Sequence, residues 1–351
     1  MDGRERILVA LDGGIPDRVP CALGFCHVNL TDVAPGGYVW TDFLDVQFVR
    51  PAPSPEERAL RQAGLPFSYD TRLGSFEQVA TYARWSYRPQ TPERRNPLAR
   101  ACSLDDLKAF AFPEVGTPEP VAGLADQVAA LHRQGLAAGG NLPHLGGELF
   151  EAAWRLRGLE NFLLDMLERP AWADFLLDRL TEIACRNATV VAQAGVDVLS
   201  LDDDVGAPVT MMMSPAMWRS FFKPRMARII RAARHVQPEL RIIFHSDGHF
   251  APIIPDLIDI GVNAINPLQP EHMDAAQIRD RFGPRLALWG TVGAQTAFSV
   301  ARPAAIRHEV RQRIMTLGRA GLILSPAYDL DEPDTAWDNV AGFLEAVHAY
   351  G

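Results

Sequence analysis

The sequence predicts a (β/α)8 barrel, and three observations support this prediction. Short apolar runs alternate with longer amphipathic stretches over the C-terminal two thirds of the chain, as parallel βαβ units require. Hydrogen-bonding and ionisable residues follow these runs directly. No GxGxxG motif follows the first run, which disfavours a doubly wound dinucleotide-binding sheet. A chain of 351 residues also suits a single α/β barrel.

The N-terminal third of the chain has no clear hydrophobic period. It contains one predicted strand, residues 19–25, followed by loops and short elements. Residues 78–85 and 136–141 are alternative candidates for the next strand. We therefore expect one barrel domain over residues 1–351, in which residues 1–115 include an N-terminal elaboration.

From residue 117 onward the alternation is regular. Apolar residues at steps of three and four, such as Leu176, Leu180 and Ile183, predict helices packed on a core, and Ser214 followed by Pro215 predicts a helix start. The predicted helices span residues 121–132, 159–167, 171–194, 214–235, 251–260, 273–281, 303–317 and 336–348. The predicted strands span residues 196–201, 240–244, 262–265, 286–289 and 322–324.

Composition excludes several classes of protein. The chain has 34 basic and 43 acidic residues, a formal charge of −9, which argues against a nucleic-acid or anionic-membrane partner. The four cysteines show no CxxC spacing, so no disulfide framework is indicated and the cytoplasm is the simplest location. No apolar run approaches about 18 residues, and residues 1–10 lack a signal core, so neither membrane spanning nor export is predicted.

Polar residues stand where a barrel carries its chemistry, on the segments that follow the carboxyl ends of the strands. This accumulation is the strongest indication of an enzyme. The candidates taken from these segments are His27, Asp203, Asp204, His245, Asp247, Gln269, Trp289 and Tyr328.

The acids near residue 203 and the sequence His245-Ser246-Asp247 have two interpretations. Strand-end residues converge on the barrel axis, so Asp203 or Asp204 would meet His245, and strand alternation aims His245 and Asp247 the same way. Such a group would form an oriented general base or hold a divalent ion. A run of three aspartates before a loop is more often a solvated turn or a helix cap, which is the second interpretation.

Weaker candidates lie elsewhere. His144 and Glu148 belong to or follow a Gly-rich loop that would close over a ligand or lie on the surface, and Met212 would line a substrate site or pack beneath a loop. Helical arginines are expected to be surface charges, with carboxylate binding as the alternative: Arg155, Arg157, Arg219 and Arg225.

These residues give the chain a resemblance to the uroporphyrinogen decarboxylase superfamily, which includes zinc-dependent methyltransferases that serve corrinoid proteins. The matching stretches occur in family order and are residues 15–20, 154–160, 201–206 with 214–218, 245–248 with 261–269, and 324–326 with 338–340. The resemblance implies a (β/α)8 barrel, in agreement with the alternation of strands and helices.

The resemblance favours the methyltransferase branch. True uroporphyrinogen decarboxylases carry an arginine-rich signature where residues 21–27 contain no arginine, which argues against that reaction. In the methyltransferases a cysteine stands at the position of Asp247, and Tyr328 falls near their last cysteine, so a metal site here would be richer in oxygen. The predicted zinc ligands are His245, Asp247 and Glu148.

The leading hypothesis is zinc-dependent methyl transfer between a small methylated compound and a thiol or a corrinoid carried by a partner protein. Asp203 or Asp204 would orient His245 or move a proton, and Tyr328 would cap the substrate; His27, His144, Met212, Gln269 and Trp289 are predicted substrate contacts. One alternative is a metal-free decarboxylase or lyase acting on a small aromatic or heterocyclic acid. A second is a ligand-binding barrel without turnover. Barrels of this resemblance are often dimers, so a homodimer is also expected.

Overall fold

The computed structural model describes residues 1–23, 41–46, 96–110, 112, 118–142, 147–293, 298, 302–327 and 337–351. Seven strands within these residues form one parallel sheet whose spatial order equals the chain order. The strands are β1 Phe43–Asp45, β2 Ala137–Asn141, β3 Val198–Asp202, β4 Arg241–His245, β5 Ala264–Leu268, β6 Ala287–Val292 and β7 Leu322–Pro326.

The sheet closes into a ring through residues 21 and 22. Cys21 forms a parallel bridge with Leu324 of β7, and Ala22 forms one with Phe43 of β1. The Ala22 amide donates to the Leu324 carbonyl at 3.0 Å, and the Asp42 amide donates to the Cys21 carbonyl at 2.8 Å. An eighth parallel position therefore joins the first strand to the last, and the predicted (β/α)8 barrel is confirmed.

The helices surround the sheet and separate its strands in sequence. Their bounds are α1 Gly3–Leu11, α2 Leu104–Lys108, α3 Pro118–Arg133, α4 Phe150–Arg157, α5 Leu159–Glu168, α6 Pro170–Gln193, α7 Pro215–Phe221, α8 Lys223–Val236, α9 Ile254–Asp259, α10 Ala275–Phe282, α11 Pro303–Leu317 and α12 Trp337–Tyr350. The helix predicted at 303–317 has these bounds in the structure.

Other boundaries differ from the predictions. The helix predicted at 214–235 is divided into α7 and α8, because Pro224 has no amide hydrogen with which to continue the hydrogen bonds of α7. Helix α1 was not predicted, although Asp2 and Glu5 form a capping box at its start. Strand β1 was also missed, since three residues are too few to show a period. The candidate strand at 78–85 lies outside the described residues.

The amino-terminal half of the barrel interior is filled by apolar side chains. Strand residues that face inward pack with Ile7, Ala10 and Leu11 of α1, which closes the lower end of the barrel. The rings of Phe43 and Trp289 meet edge to face in this interior, with centroids 4.8 Å apart. The inward-facing strand residues of this layer are Ala22, Phe43, Ala137, Val198, Ile243, Ala264, Ala287, Trp289 and Ile323.

The prediction that Arg157 is a surface charge was wrong. Its side chain is 2 % exposed, and its Nε donates to Asp165 Oδ2 at 2.7 Å. Nη1 donates to the Leu98 carbonyl at 2.7 Å. The guanidinium therefore links the segment that contains Leu98 to helices α4 and α5. Burial of this cation is tolerated because a buried carboxylate and carbonyl oxygens satisfy it. None of the described helices has the length and apolar character needed to cross a bilayer.

Candidate active site

Polar residues replace apolar ones toward the carboxyl ends of the strands. Along β3, Val198 packs in the inner cluster while Leu199 and Leu201 pack in the outer one, so Ser200 and Asp202 face inward. The same alternation continues in the neighbouring strands. The inward-facing residues above the apolar layer are Asn141, Ser200, Asp202, His245, Asn266 and Ser325.

His245 is held in one orientation by the next strand. Its Nδ1 lies 2.7 Å from Asn266 Oδ1, and its Nε2 lies 4.0 Å from Asp202 Oδ1. Asp202, His245 and Asn266 are paired across β3, β4 and β5, which explains this alignment. Since Asn266 Oδ1 is an acceptor, Nδ1 carries the ring proton in the neutral imidazole, and Nε2 presents its lone pair toward Asp202.

Asp202, Asp204 and His245 form a group that could hold a metal ion. One potential ligand atom from each residue lies within 4.8 Å of the others. Asp202 is buried, whereas Asp204 and His245 are half-buried, so the group is open to the barrel mouth. The Asp247 amide donates to Asp204 Oδ1 at 2.6 Å and fixes that carboxylate.

Asp203 faces away from this group and caps a helix. Its two carboxylate oxygens accept from the amides of Phe150 and Glu151, at 2.9 and 3.0 Å, at the start of α4. Burial raises the pKa of Asp203 to about 7, although these amide hydrogen bonds oppose the shift. Of the two interpretations of the aspartate run, the helix cap is the one that applies to Asp203. Its side chain points away from those of its neighbours because successive strand-end residues point to opposite sides. The structure does not bring its carboxylate to His245.

Two further acids pack behind the group. The Asp202 amide donates to Glu148 Oε2 at 2.6 Å, and the Glu148 amide donates to the Asp202 carbonyl at 2.9 Å. Burial, with the charges of Asp202 and Asp203, raises the pKa of Glu148 well above its usual range. Burial also raises the pKa of Glu151 to about 8, with a further contribution from Asp204, while Arg155 opposes it. Glu148 therefore holds the backbone at the end of β3 and is not one of the three residues of the group that could hold a metal ion.

Asp247 and Gln269 belong to one hydrogen-bonded loop network. Gln269 Nε2 donates to Asp247 Oδ1 at 2.9 Å, and Gln269 Oε1 accepts from the Gly248 amide at 2.7 Å. A Cβ at position 206 would lie 2.2 Å from the Asp247 carbonyl oxygen. Only glycine at this position therefore allows the loop after β3 to lie so close to the loop after β4. The structure thus places Asp247 beside Asp204, which accepts a hydrogen bond from the Asp247 backbone amide.

The other residues that the sequence predicted as substrate contacts or caps are not part of the group formed by Asp202, Asp204 and His245, or lie outside the described residues. Trp289 is fully buried and stands in the apolar layer of the barrel. Met212 is 37 % exposed on the loop after β3. His27, His144 and Tyr328 lie outside the described residues.

Two residues of the site, Asp202 and Asn266, were not singled out from the sequence as members of it. Alternation supplies the signal for Asp202, because residues 202 and 204 share a face that residue 203 does not. Asn266 stands at the end of the strand after His245, where adjacent parallel strands place their last residues side by side. The residues that directly follow adjacent predicted strands, taken together, indicate both Asp202 and Asn266 as neighbours of His245.

The donor set suits a divalent metal ion. One imidazole nitrogen and two carboxylates are ligands that zinc accepts, and their oxygen content is also compatible with harder ions. The orientation of His245 by Asn266 is the arrangement expected around a ligating histidine, in which the other ring nitrogen donates to an oxygen. The two carboxylates of Asp202 and Asp204 lie close together at the group, and a cation there would offset their mutual repulsion.

The fold and this site define a (β/α)8 barrel enzyme with an acid and histidine centre at the carboxyl ends of its strands. Residues 149–350 match the family model described as uroporphyrinogen decarboxylase (URO-D), which covers more than half of the chain. The chain therefore belongs to the URO-D family.

Two methyltransferases are similar to this chain, one in sequence and one in structure. The Methylcobamide:CoM methyltransferase MtaA of Methanosarcina barkeri is 25% identical over 303 residues, which are 83% of this chain and 82% of the relative. A solved methyltransferase from Methanosarcina mazei is 15% identical, with a TM-score of 0.62 over 100% of this chain and 99% of that one. The structural likeness supports the fold.

Proposed function

We propose that this protein is a metal-dependent methyltransferase that moves a methyl group between a small methylated compound and a corrinoid protein or a thiol. The observation that carries the proposal is the Asp202, Asp204 and His245 group at the barrel mouth, with His245 oriented by Asn266. The methyltransferase name of the Methanosarcina barkeri relative supports the class of reaction. Membership of the URO-D family is compatible with decarboxylation as well as with methyl transfer. The feature that favours methyl transfer is the Asp202, Asp204 and His245 group, which could hold a metal ion.

Asp202, Asp204 and His245 would hold the ion, which we propose to be zinc. When bound, the metal supplies Lewis-acid chemistry that stabilises negative charge on the oxygen, nitrogen or sulfur atom bonded to the methyl group. In the transfer, the bond from that atom to the methyl carbon would break with its electron pair left on the heteroatom, and the methyl acceptor, a thiol or the corrinoid of a partner protein, would supply the electron pair of the new bond to carbon. With a thiol as acceptor, the proton lost from sulfur would end on the heteroatom.

The chain itself supplies position and charge around this reaction. Asn266 keeps the His245 proton on Nδ1, which leaves Nε2 as the ligating nitrogen. The amide of Asp247 holds Asp204 through its Oδ1, and Glu148 holds the backbone of Asp202. Because each ligand is fixed before substrate arrives, little reorganisation is needed in the reaction.

The proposal is tested with purified protein, metal analysis and a methyl-transfer assay. We expect about one metal ion per chain in the wild-type protein, and loss of both metal and methyl transfer after treatment with a chelator. His245→Ala is expected to lose both, whereas His235→Ala, which changes an exposed histidine at the end of α8, retains both.

Activity that survives complete metal removal would contradict the proposal. If that activity released carbon dioxide from a small aromatic or heterocyclic acid, the metal-free decarboxylase would replace it. The corrinoid protein partner, a homodimer and a cytoplasmic location stay predictions.

A further inference from the structure

The hydrogen-bonded ladder between β3 and β4 changes directly after His245. In the parallel register Asp202 is paired with His245, and the Asp203 amide donates to the His245 carbonyl at 3.0 Å. Two residues further along, a regular ladder would join the Val205 amide to the Asp247 carbonyl. In the structure, side-chain oxygens take this ladder position and the next one.

The hydroxyl of Ser246 takes the first position. The Val205 amide donates to Ser246 Oγ at 3.1 Å, and Ser246 Oγ donates to the Asp247 carbonyl at 3.0 Å. The hydroxyl therefore lies between the amide and the carbonyl that a regular ladder would join directly. Because two hydrogen bonds in series replace one, the hydroxyl separates the two strand ends at this level.

The carboxylate of Asp204 takes the second position. A regular ladder would direct the Asp247 amide to the Asp203 carbonyl, but this amide donates to Asp204 Oδ1 at 2.6 Å. The same carboxylate belongs to the group with Asp202 and His245. A side-chain carboxylate can enter the ladder only where the strands are separated, which is where the Ser246 hydroxyl stands.

The separation of the strand ends is local, because the two chains are joined on either side of it. On the side of the barrel core, the Asp203 amide bonds to the His245 carbonyl. On the side of the mouth, the His249 amide donates to the Ala207 carbonyl at 2.8 Å, and a Cβ at position 206 would collide with the backbone of the loop after β4. The strand ends therefore separate only at the level of the metal group and do not simply diverge.

Ser246 acts on this group through the backbone. Its side chain is fully buried, and alternation directs it away from the side chains of its neighbours His245 and Asp247. Loss of the hydroxyl would leave the buried Val205 amide without a partner, which is costly. The strand ends could restore that hydrogen bond only by closing to the regular ladder, and closure would displace the carboxylate of Asp204.

We infer that Ser246 is a positioning residue for the metal group. Its hydroxyl keeps the ends of β3 and β4 apart, and this separation lets Asp204 reach the Asp247 amide and stand beside His245. The inference deepens the proposed function and rests on it, because the position of Asp204 matters to the reaction only if the group holds a metal ion.

The test measures zinc affinity separately from stability. Competition with a chromophoric chelator gives the affinity for zinc, and urea unfolding gives the stability of the metal-free protein. We expect Ser246→Ala to bind zinc about tenfold or more weakly than the wild type, since a group that orients a ligand is lost. Ser246→Thr, which keeps the hydroxyl, is expected to bind zinc more tightly than Ser246→Ala.

Thr181→Val is the matched control for loss of a buried hydroxyl. Thr181 lies on α6, is fully buried like Ser246, and donates to the Leu177 carbonyl at 2.7 Å. Its replacement is expected to lower the free energy of unfolding and to leave zinc affinity unchanged. Ser246→Ala should differ from this control in zinc affinity, which a purely structural hydroxyl would not alter.

Cobalt(II) gives a second readout, because its visible absorption reports the number and geometry of its ligands. At saturating cobalt, the spectrum of Ser246→Ala is expected to depart from that of the wild type toward that of Asp204→Asn, since both variants lose the Asp204 ligand. The spectrum of Thr181→Val should match that of the wild type.

The outcomes separate this inference from the proposed function. Wild-type zinc affinity and a wild-type cobalt spectrum in Ser246→Ala would overturn the inference and leave the proposed function intact, whereas a wild-type protein that binds no metal would contradict both. Should Ser246→Ala not fold, Ser246→Thr decides. A folded threonine variant with the wild-type spectrum would support the inference, and one with the spectrum of Asp204→Asn would overturn it, because the hydroxyl is still present.

Discussion

The Nδ1 atom of His245 lies 2.7 Å from the Oδ1 atom of Asn266. This hydrogen bond joins the ends of two adjacent strands and turns the other ring nitrogen of His245 toward Asp202. A histidine fixed in this way is ready to bind a metal without paying for a change of tautomer or rotamer. The pair connects the geometry of the sheet directly with the proposed chemistry.

Asn266→Leu should weaken metal binding about 10- to 100-fold, because the orienting acceptor of His245 is lost while the ligands remain. Competition with a chromophoric chelator measures the affinity. Gln134→Ala, which removes an exposed amide outside the site, is the control and should bind metal as the wild type does. Equal affinities in Asn266→Leu and the wild type would show that Asn266 has no such role.

The structure and the sequence indicate different metal ligands beside His245, and substitutions of these ligands distinguish the two sets. If Asp202 and Asp204 complete the site with His245, then Asp202→Asn and Asp204→Asn lose stoichiometric metal, whereas Asp247→Asn and Glu148→Gln keep it. If the set predicted from the sequence is right, the losses occur in the second pair. Elemental analysis of the folded variants decides between them, with Asp105→Asn on the exposed surface as the reference for handling losses.

The stability of the metal-free protein should fall as the pH rises from about 5 to 8. The pKa of Asp203 is raised from 3.8 to about 7 by burial, so between these values the folded protein binds more protons than the unfolded chain. Raising the pH therefore favours the unfolded state, by at most about 1.4 kcal/mol per pH unit for one such group. Glu148 and Glu151 shift in the same direction and add to the slope.

Urea unfolding at several pH values measures this dependence. Asp203→Asn should flatten the slope because it removes one of the titrating groups, whereas Asp203→Ala should also lose the cap of α4, at a cost of about 0.5–2 kcal/mol. Slopes that coincide in Asp203→Asn and the wild type would mean that Asp203 does not titrate in this range.

Gly139→Ala and Gly123→Ala should change stability in opposite directions. A Cβ on Gly139 would lie 2.1 Å from the Phe43 ring and 2.2 Å from Asp45 Oδ1, so the interior of the barrel must shift. We expect a loss of about 1–3 kcal/mol by overpacking. Gly123 is within α3 and has open space around its missing Cβ, so alanine there should stabilise the helix by about 0.5–1 kcal/mol. Denaturant unfolding checks both, and a neutral Gly139→Ala would contradict the packing described for Phe43.

Much of the architecture could be predicted from local patterns. The alternation of apolar runs and amphipathic stretches determines parallel βαβ units, and the bounds of α11 followed from Pro303 and the apolar spacing after it. The N-terminal region was harder, because β1 has three residues and its pairing with Ala22 and β2 depends on segments far apart in the chain. Such pairing leaves no local signal.

The sequence by itself determined that acids and a histidine stand at the carboxyl ends of barrel strands, because strand position and residue type are both local properties. Only the tertiary structure decided which of these residues meet. Asp202 and Asp204 turn inward to His245 while Asp203, between them, turns outward to cap α4, and Asn266 reaches His245 from the adjacent strand. The physical reason is that side-chain direction alternates at each residue and that register is fixed by pairing between strands. One step along the chain therefore separates a proposed metal ligand from a helix cap.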